Sequence, residues 1–99
     1  MNMNMQNLMA QARKIQKELE DVTNQIEKTT FTGENEFVKV EVTGDYSVKK
    51  IDILKDEIIS DKQMLEDMLI LAVNSALEKI KNEKDAKLGK YTGGMGGLF

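Results

Sequence analysis

The stretch that decides the fold covers residues 37–53 and reads FVKVEVTGDYSVKKIDI. Within it, valine alternates with charged residues at Val38, Val40 and Val42. Alternate residues of a strand point to the same face, so the three valines share one side. The pattern predicts a half-buried β-strand with a polar outer face.

A hairpin follows this strand. Gly44-Asp45 lies between two β-prone runs, which is typical of a two-residue turn. If Thr43 is opposite Tyr46, then Val38 is opposite Ile51, and the valine face continues through both isoleucines of the next strand. A slip of one residue would move those isoleucines to the other side, so the pattern supports this register.

The residues before this hairpin predict one more strand. Residues 29–32 are β-prone, and residues 33–36, which begin with Gly33, are typical of a turn. The three runs together predict a three-stranded antiparallel meander.

A long helix is predicted over residues 4–28. Its apolar side chains recur at spacings of three and four, the a and d positions of a heptad repeat: Met5, Leu8, Ala12, Ile15, Leu19, Val22 and Ile26. The stripe packs either on the core of its own chain or on a helix of a second subunit. At about 37 Å the helix is longer than a seven-residue strand of about 23 Å, so its end should overhang the sheet.

A second long helix is predicted from Asp61 to Leu88. Ser60 and Gln63 have the spacing of a capping box, and Gly89 is typical of a C-terminal stop. Beyond Ile80 the apolar pattern fades, which leaves open a kink or a break near Asn82. The expected domain covers residues 1–90, and residues 91–99 form a Gly-rich tail.

The second helix is apolar all the way round over residues 68–73. Such a stretch must be covered on more than one side, and the sheet covers only one. A second subunit is the simplest cover, so we predict an α+β homodimer whose interface contains Met68, Ile70, Leu71 and Val73.

Composition argues against an enzyme and against a metal site. The chain has no cysteine and no histidine, which removes the thiolate nucleophile and the commonest general base and metal ligand. The candidate carboxylates do not have the spacing of a calcium loop, and we interpret them as surface acids: Asp52, Asp56, Glu57, Glu66 and Asp67. We therefore expect no catalytic residue, no cofactor and no small-molecule substrate.

Charge is distributed unevenly along the chain, although the net charge is only −3. Residues 1–17 carry three cations and no acid, residues 18–78 carry 6 lysines and 15 acids, and residues 79–99 have a net charge of +3. A polyanion responds to the local field more than to the total charge. The candidate phosphate-binding residues are the cations of the two ends: Arg13, Lys14, Lys17, Lys84, Lys87 and Lys90. On the residues alone a solvated helix face is the favoured reading, and Lys84, Lys87 and Lys90 have a further alternative in their placement near a helix C-terminus. DNA binding by these six residues is predicted only when the charge blocks are combined with the family resemblance described next.

The chain resembles the YbaB/EbfC family of bacterial nucleoid-associated proteins over nearly its whole length. The resemblance is carried by short motifs in a fixed order: Leu8-Met9, Ala10-Gln11-Ala12, Val38-Lys39-Val40, Gly44, Ile51-Asp52-Ile53, Leu65-Glu66-Asp67, Ala72-Val73-Asn74 and the ending TGGMGGLF of residues 92–99. It implies a tweezer-like homodimer with protruding helices that binds DNA and helps to organise the nucleoid. The chain departs from the family pattern in the turn of residues 33–36, at Leu54 where a proline is common, and in its shorter tail.

The sequence and the resemblance together predict a non-enzymatic, cytoplasmic, nucleoid-associated homodimer that binds duplex DNA. With a single arginine in the chain, contact with the DNA backbone is expected to dominate over base recognition. No membrane partner is expected, because the longest unbroken apolar run is far shorter than the roughly 20 residues that span a bilayer. An alternative stays open, namely a dimeric adaptor whose exposed helix ends bind a protein. A third hypothesis is a carboxylate-based enzyme, against which the lack of any cleft-forming motif argues.

Overall fold

The structure, a computed structural model, describes residues 4–92. Its elements follow in the predicted order: α1 Met5–Lys28, β1 Thr30–Glu34, β2 Val38–Thr43, β3 Val48–Ile53, a short 3-10 helix Asp56–Ser60, and α2 Lys62–Thr92. The strands form one antiparallel sheet in the order β1-β2-β3. The predicted α+β fold is therefore confirmed.

The first correction concerns Gly33, which lies within β1 and pairs with Val40 instead of starting a turn. A Cβ added at Gly33 would lie 1.7 Å from the carbonyl oxygen of Ala72 and 2.9 Å from the backbone nitrogen of Ala76. Glycine is needed here because the backbone of α2 lies directly on the strand. The turn itself is formed at Asn35, whose side-chain oxygen accepts from the backbone N–H of Phe37 at 3.0 Å.

The second correction concerns the β2–β3 hairpin. Its loop has three residues, because Thr43 donates its backbone N–H to Ser47 at 2.9 Å, and Tyr46 adopts a left-handed φ of 66°. A second irregularity follows in the ladder: Val42 pairs with Val48 and Glu41 with Lys50, so Lys49 has no partner. Two extra residues shift the predicted pairing by two positions.

Consequently Val38 pairs with Ile53, and Val40, not Val38, has Ile51 as its partner. The predicted register is wrong, but from Lys50 onward the shift is by two, which keeps those side chains on their predicted faces. Val48, shifted by one, pairs with Val42 and changes face. The valines and both isoleucines therefore share one face of the sheet.

The core lies between this face and α2. Its buried members come from β2 and α2: Val38, Val40, Val42, Ala72, Ala76 and Ile80. The two alanines allow the helix backbone to approach the strands closely, as Gly33 does from the other side. The helix packs over β1 and β2, and Ile51 of β3 remains 50% exposed. The third strand is thus only partly covered.

Helix α2 differs from its predicted bounds at both ends. Asp61, rather than Ser60, caps its start: the Asp61 carboxylate accepts from the backbone N–H of Met64 at 3.1 Å. The helix continues without a break past Asn82 and through Gly89 to Thr92. Gly89 is therefore not the predicted stop. Of the predicted tail, residues 91 and 92 are helical, and residues 93–99 lie outside the described residues.

Candidate nucleic-acid interface

Helix α1 has a packed half and an exposed half. From Leu19 onward its apolar side chains turn toward the protein: Leu19 and Val22 are half-buried and Ile26 is buried. Every residue from 5 to 18 is exposed. The predicted heptad stripe is therefore used for packing over its second half alone.

Two contacts show where the helices leave the sheet. Gly44 donates its backbone N–H to Thr29 at 3.0 Å, so the β2–β3 hairpin lies beside the end of α1. The ammonium of Lys84 donates to the hydroxyl of Tyr46 in the same hairpin at 2.9 Å. The part of α2 before Lys84 covers the sheet, and the part after it continues beyond the hairpin.

The overall dimensions agree with this arrangement. Helix α2 accounts for about 46 Å of length at 1.5 Å per residue, whereas the longest dimension of the molecule is 74 Å. Helix α1 ends beside the hairpin, contacts α2 and is exposed over residues 5–18. We infer from this that the exposed half of α1 projects beyond the hairpin end of the sheet and accounts for the remaining length. We call residues 5–18 of α1 and residues 84–92 of α2 together the arm.

The predicted cations of α1 all lie on the arm. Arg13, Lys14 and Lys17 are exposed and occupy the heptad positions that face away from the packed stripe. Among the described residues Arg13 and Lys14 make no ion pair, and the ammonium of Lys17 lies 4.0 Å from the carboxylate of Asp21. Because both side chains of that pair are exposed, it contributes little and can be exchanged for a phosphate.

The predicted cations of α2 lie on the other helix of the same arm. Lys84 is half-buried and is held over the ring of Tyr46, 4.2 Å from its centroid. Lys87 is 3.9 Å from the carboxylate of Glu83, and Lys90 lies 5.1 Å from the ring centroid of Tyr91. Both predicted sets therefore lie on the arm as defined above. Lys84, the first residue of the second set, is already bound to Tyr46.

Lys79, from the same basic stretch of sequence, does not belong to this surface. Its ammonium donates to the carbonyl oxygen of Thr32 in β1 at 2.6 Å and so fastens α2 to the sheet. Lys55 is likewise occupied, 2.6 Å from the carboxylate of Glu36. The hydrogen bond to Glu36 raises the pKa of Lys55. Lys79 and Lys55 therefore both have structural partners away from the arm.

The four predicted interface residues divide into two pairs. Met68 and Val73 are half-buried and pack on the core, whereas Ile70 and Leu71 are each 58% exposed. Large apolar side chains that point into water from the middle of a rigid helix favour a further contact. Whether that contact is with a second copy stays a prediction.

The acidic residues do not assemble a metal site. Within residues 4–92, no three carboxylates lie close enough to hold a metal ion. Asp56, Glu57 and Glu66 are exposed side chains near the start of α2. In the same range of residues, no helix has the length and apolar character needed to cross a membrane.

Tyr46 is the residue that sequence reasoning missed. It fixes Lys84 at the base of the arm, and it is 58% exposed at the tip of the hairpin. No sequence signal marks it, because the left-handed position in a hairpin normally carries glycine or asparagine. Its role depends on a contact across 38 positions of the chain.

Comparison with known proteins shows the family of the chain. The model of the YbaB/EbfC DNA-binding family matches residues 1–95. A nucleoid-associated protein of Enterococcus faecalis is 43% identical over 108 aligned positions, covering 96% of this chain and 94% of its own length. A nucleoid-associated protein of Lactococcus lactis is 42% identical over 96 positions, covering 94% of this chain and 97% of its own.

A solved structure supports the fold independently. The crystal structure of an uncharacterized protein from Helicobacter pylori superimposes with a TM-score of 0.72 at 17% identity and covers 93% of this chain and all of that one. The likeness at that identity concerns the fold alone, whereas the family match and the two bacterial relatives extend over nearly the whole sequence. The chain belongs to the YbaB/EbfC DNA-binding family.

Proposed function

We propose that the protein is a homodimeric, non-enzymatic nucleoid-associated protein that binds duplex DNA through its arm, mainly by contacts with phosphates. The observation that carries this proposal is the convergence of Arg13, Lys14 and Lys17 with Lys87 and Lys90 on adjacent helices beyond one end of the sheet. These two sets are far apart in the sequence, and the helices that carry them, α1 and α2, contact each other, which supports a shared surface.

The charge distribution makes the arm and the body of the molecule electrostatically different. The arm is basic, whereas residues 18–78, which contain the sheet, have a net charge of −9. A polyanion is attracted to the arm and repelled by the body, so DNA approaches the projecting end. The acidic body also keeps the rest of the surface off the duplex.

The side-chain chemistry favours recognition of the backbone. Lysine is a mobile point charge, and the fork of arginine, which pairs with guanine edges, occurs once, at Arg13. Contacts with phosphates fix position and supply affinity without reading sequence. We therefore expect slight sequence preference and strong dependence on salt.

The homodimer rests on the exposed pair Ile70 and Leu71, supported by Met68 and Val73 below them. Burial of these side chains against a second copy would double the number of arms. The names of the Enterococcus and Lactococcus relatives support a place in the nucleoid, within the cytoplasm.

The test is a gel shift of random-sequence duplex DNA at about 50 and 200 mM salt. The arm variant replaces Arg13, Lys14 and Lys17 by Glu, and a second variant replaces Lys87 and Lys90 by Glu. The control replaces Lys49, Lys50 and Lys62 by Glu; these three side chains are exposed on the body. It changes the net charge as much as the arm variant does and leaves the short ion pair of Lys55 with Glu36 in place. Lys50 lies 3.7 Å from the carboxylate of Asp52, a longer and largely exposed pair that contributes little to stability.

We expect the arm variant to lose binding and the control to retain it. Each phosphate contact contributes about −0.9 to the slope of log affinity against log salt, so three contacts per chain correspond to a change of about 2.7 per chain. Equal losses in both variants would assign binding to the overall charge and not to the arm. If the unmodified protein fails to shift DNA at low salt, the adaptor hypothesis replaces this one.

A further inference from the structure

The hairpin between β2 and β3 holds a tyrosine in a backbone conformation that favours glycine. Tyr46 has a φ of 66°, and its side chain is 58% exposed. A bulky residue in the left-handed region is strained, and residues strained in this way cluster at sites that bind ligands. The side chain of Tyr46 is therefore a candidate for binding as well as for folding.

Tyr46 holds the ammonium of Lys84 at two points. The ammonium lies 4.2 Å from the centroid of the tyrosine ring and donates to the hydroxyl oxygen at 2.9 Å. Lys84 is also half-buried, so its side chain is already ordered before a ligand arrives. An ordered lysine loses less conformational entropy on binding than the fully exposed Arg13 and Lys14 do.

The partner of Lys84 differs from the partners of the two lysines that fasten the body. Lys55 is paired with the carboxylate of Glu36, which cancels its charge. Lys79 donates to a backbone carbonyl, which has no proton to give. The hydroxyl of Tyr46 is neutral, and a phenol can accept one hydrogen bond and donate another.

The pair of Tyr46 and Lys84 therefore keeps its positive charge and presents two donors. In the part of the chain that the structure describes, no carboxylate lies within ion-pair distance of Lys84, since the neighbouring Glu83 is 3.9 Å from Lys87 instead. Within residues 4–92, no group accepts the hydroxyl proton of Tyr46. Because the hydroxyl oxygen accepts from an ammonium, its O–H is polarised and donates more strongly.

Asp45, next to Tyr46, is the acid that would oppose an anion at this position. Its carboxylate accepts from the hydroxyl of Thr43 and from the backbone N–H of Ser47, the latter at 3.3 Å. The negative charge of Asp45 is thus bound within the turn. An anion can approach the ammonium and the hydroxyl from the solvent side.

We propose that Tyr46 and Lys84 form a two-donor site for a phosphate of the DNA backbone, which makes the hairpin a third element of the DNA-binding surface. The ammonium supplies the charge, and the hydroxyl adds a neutral donor beside it. Lys87 follows Lys84 by three positions on the same face of α2, so a strand bound at one can continue to the other. The inference rests on the proposed function and adds a contact that the charge distribution does not reveal.

The test is a gel shift of random-sequence duplex DNA with Tyr46→Phe, which keeps the ring over the ammonium and removes one oxygen. Tyr91→Phe is the matched control, because it removes the same oxygen from the other tyrosine of the arm, whose ring lies 5.1 Å from the ammonium of Lys90. Lys84→Gln and the double variant with Tyr46→Phe complete a double-mutant cycle. Each affinity is measured at several salt concentrations between about 50 and 200 mM.

We expect Tyr46→Phe to weaken binding about three- to tenfold per chain, the effect of one net hydrogen bond, and Tyr91→Phe to leave it unchanged. The slope of log affinity against log salt should stay the same in Tyr46→Phe, because no charge is removed, and should flatten by about 0.9 per chain in Lys84→Gln. In the Lys84→Gln background, Tyr46→Phe should weaken binding by less than about twofold, since the two donors act together.

Three outcomes would overturn the inference. The first is an affinity of Tyr46→Phe within twofold of the original with a lower Tm, which would assign the contact to stability alone. The second is an equal loss for Tyr46→Phe and Tyr91→Phe, and the third is an undiminished effect of Tyr46→Phe in the Lys84→Gln background. If the variant of Arg13, Lys14 and Lys17 loses binding while Tyr46→Phe retains it, the proposed function stands without this site. If the unmodified protein binds no DNA, both fall.

Discussion

Gly33→Ala should be among the most damaging single-methyl additions available to this protein. The new Cβ would lie 1.7 Å from the carbonyl oxygen of Ala72, whereas ordinary van der Waals contact begins near 3.4 Å. The obstacle is backbone on both sides, so no side chain can rotate out of the way. Relief requires α2 to move away from β1 by about 1.5 Å, and even a gap of 0.5–1 Å removes a quarter to a half of the dispersion energy of the contacts it opens.

The magnitude follows from this displacement. Overpacking of a well-packed core typically costs about 1–3 kcal/mol, and the rigid backbone contact places Gly33→Ala at or above about 3 kcal/mol. For a domain of this size about 1 kcal/mol lowers the Tm by roughly 4–8 °C, so we expect a loss of about 12–24 °C. Thermal unfolding followed by circular dichroism at 222 nm measures it.

Gly89→Ala is the matched control, since a Cβ added there meets no atom within 4 Å. Alanine is favoured over glycine within a helix by up to about 1 kcal/mol, so this variant should be slightly more stable than the original. A fall in Tm of less than 4 °C for Gly33→Ala would refute the close approach of α2 to β1. A fall for Gly89→Ala would refute the continuation of the helix through that position.

Two further outcomes concern the proposed dimer and the end of the chain. Ile70→Asp combined with Leu71→Asp should give an 11.2 kDa species in sedimentation and keep the helical signal, because both side chains are exposed within one chain; an unchanged dimer would place the interface elsewhere. Removal of residues 93–99 should change the Tm by less than about 2 °C, because a short Gly-rich end has few means of attachment. A loss of several degrees would show that Leu98 and Phe99 contact the body.

Local pattern predicted the elements of this fold, and contacts between distant residues explain what it missed. The alternation of Val38, Val40 and Val42 predicted the correct strand and the correct buried face. The heptad stripe of α1 predicted the correct helix, but its face packs on the protein from Leu19 onward alone. Gly33 has the same appearance in sequence whether it makes a turn or makes room for a helix. The part of α2 that lies on Gly33 is at Ala72, 39 positions later in the chain. The local sequence therefore does not distinguish a glycine of a turn from a glycine that makes room for a helix.

The candidate site shows the same division. The charge blocks predicted which cations to consider, since composition alone reveals them. Their convergence on one arm depends on the direction in which each helix leaves the sheet, which the hairpin contacts determine. The structural partners of Lys79 and the contact between Lys84 and Tyr46 depend on tertiary packing, and so does the exposure of Ile70 and Leu71 beside the half-buried Met68 and Val73.

The hairpin supplies a last prediction, which follows from the two inserted residues. Lys49 has no partner in the ladder, because Val42 pairs with Val48 and Glu41 with Lys50. Removing Lys49 converts the irregular stretch into a regular ladder and leaves Ile51 opposite Val40. Deletion of a residue from the middle of a strand should therefore be tolerated here, at a cost of about 1 kcal/mol or less.

Deletion of Glu41 from β2 is the control, since it also removes one charged residue from the same hairpin. It changes the alternation within β2, so either Val42 or the pair Val38 and Val40 must turn to the outer face. Each buried valine so exposed costs about 1.5–3 kcal/mol, and the fold should be lost or severely weakened. Urea unfolding of both deletion variants decides the matter: equal losses of stability would mean that Lys49 is paired in the sheet, because only a paired residue shifts the register when it is removed.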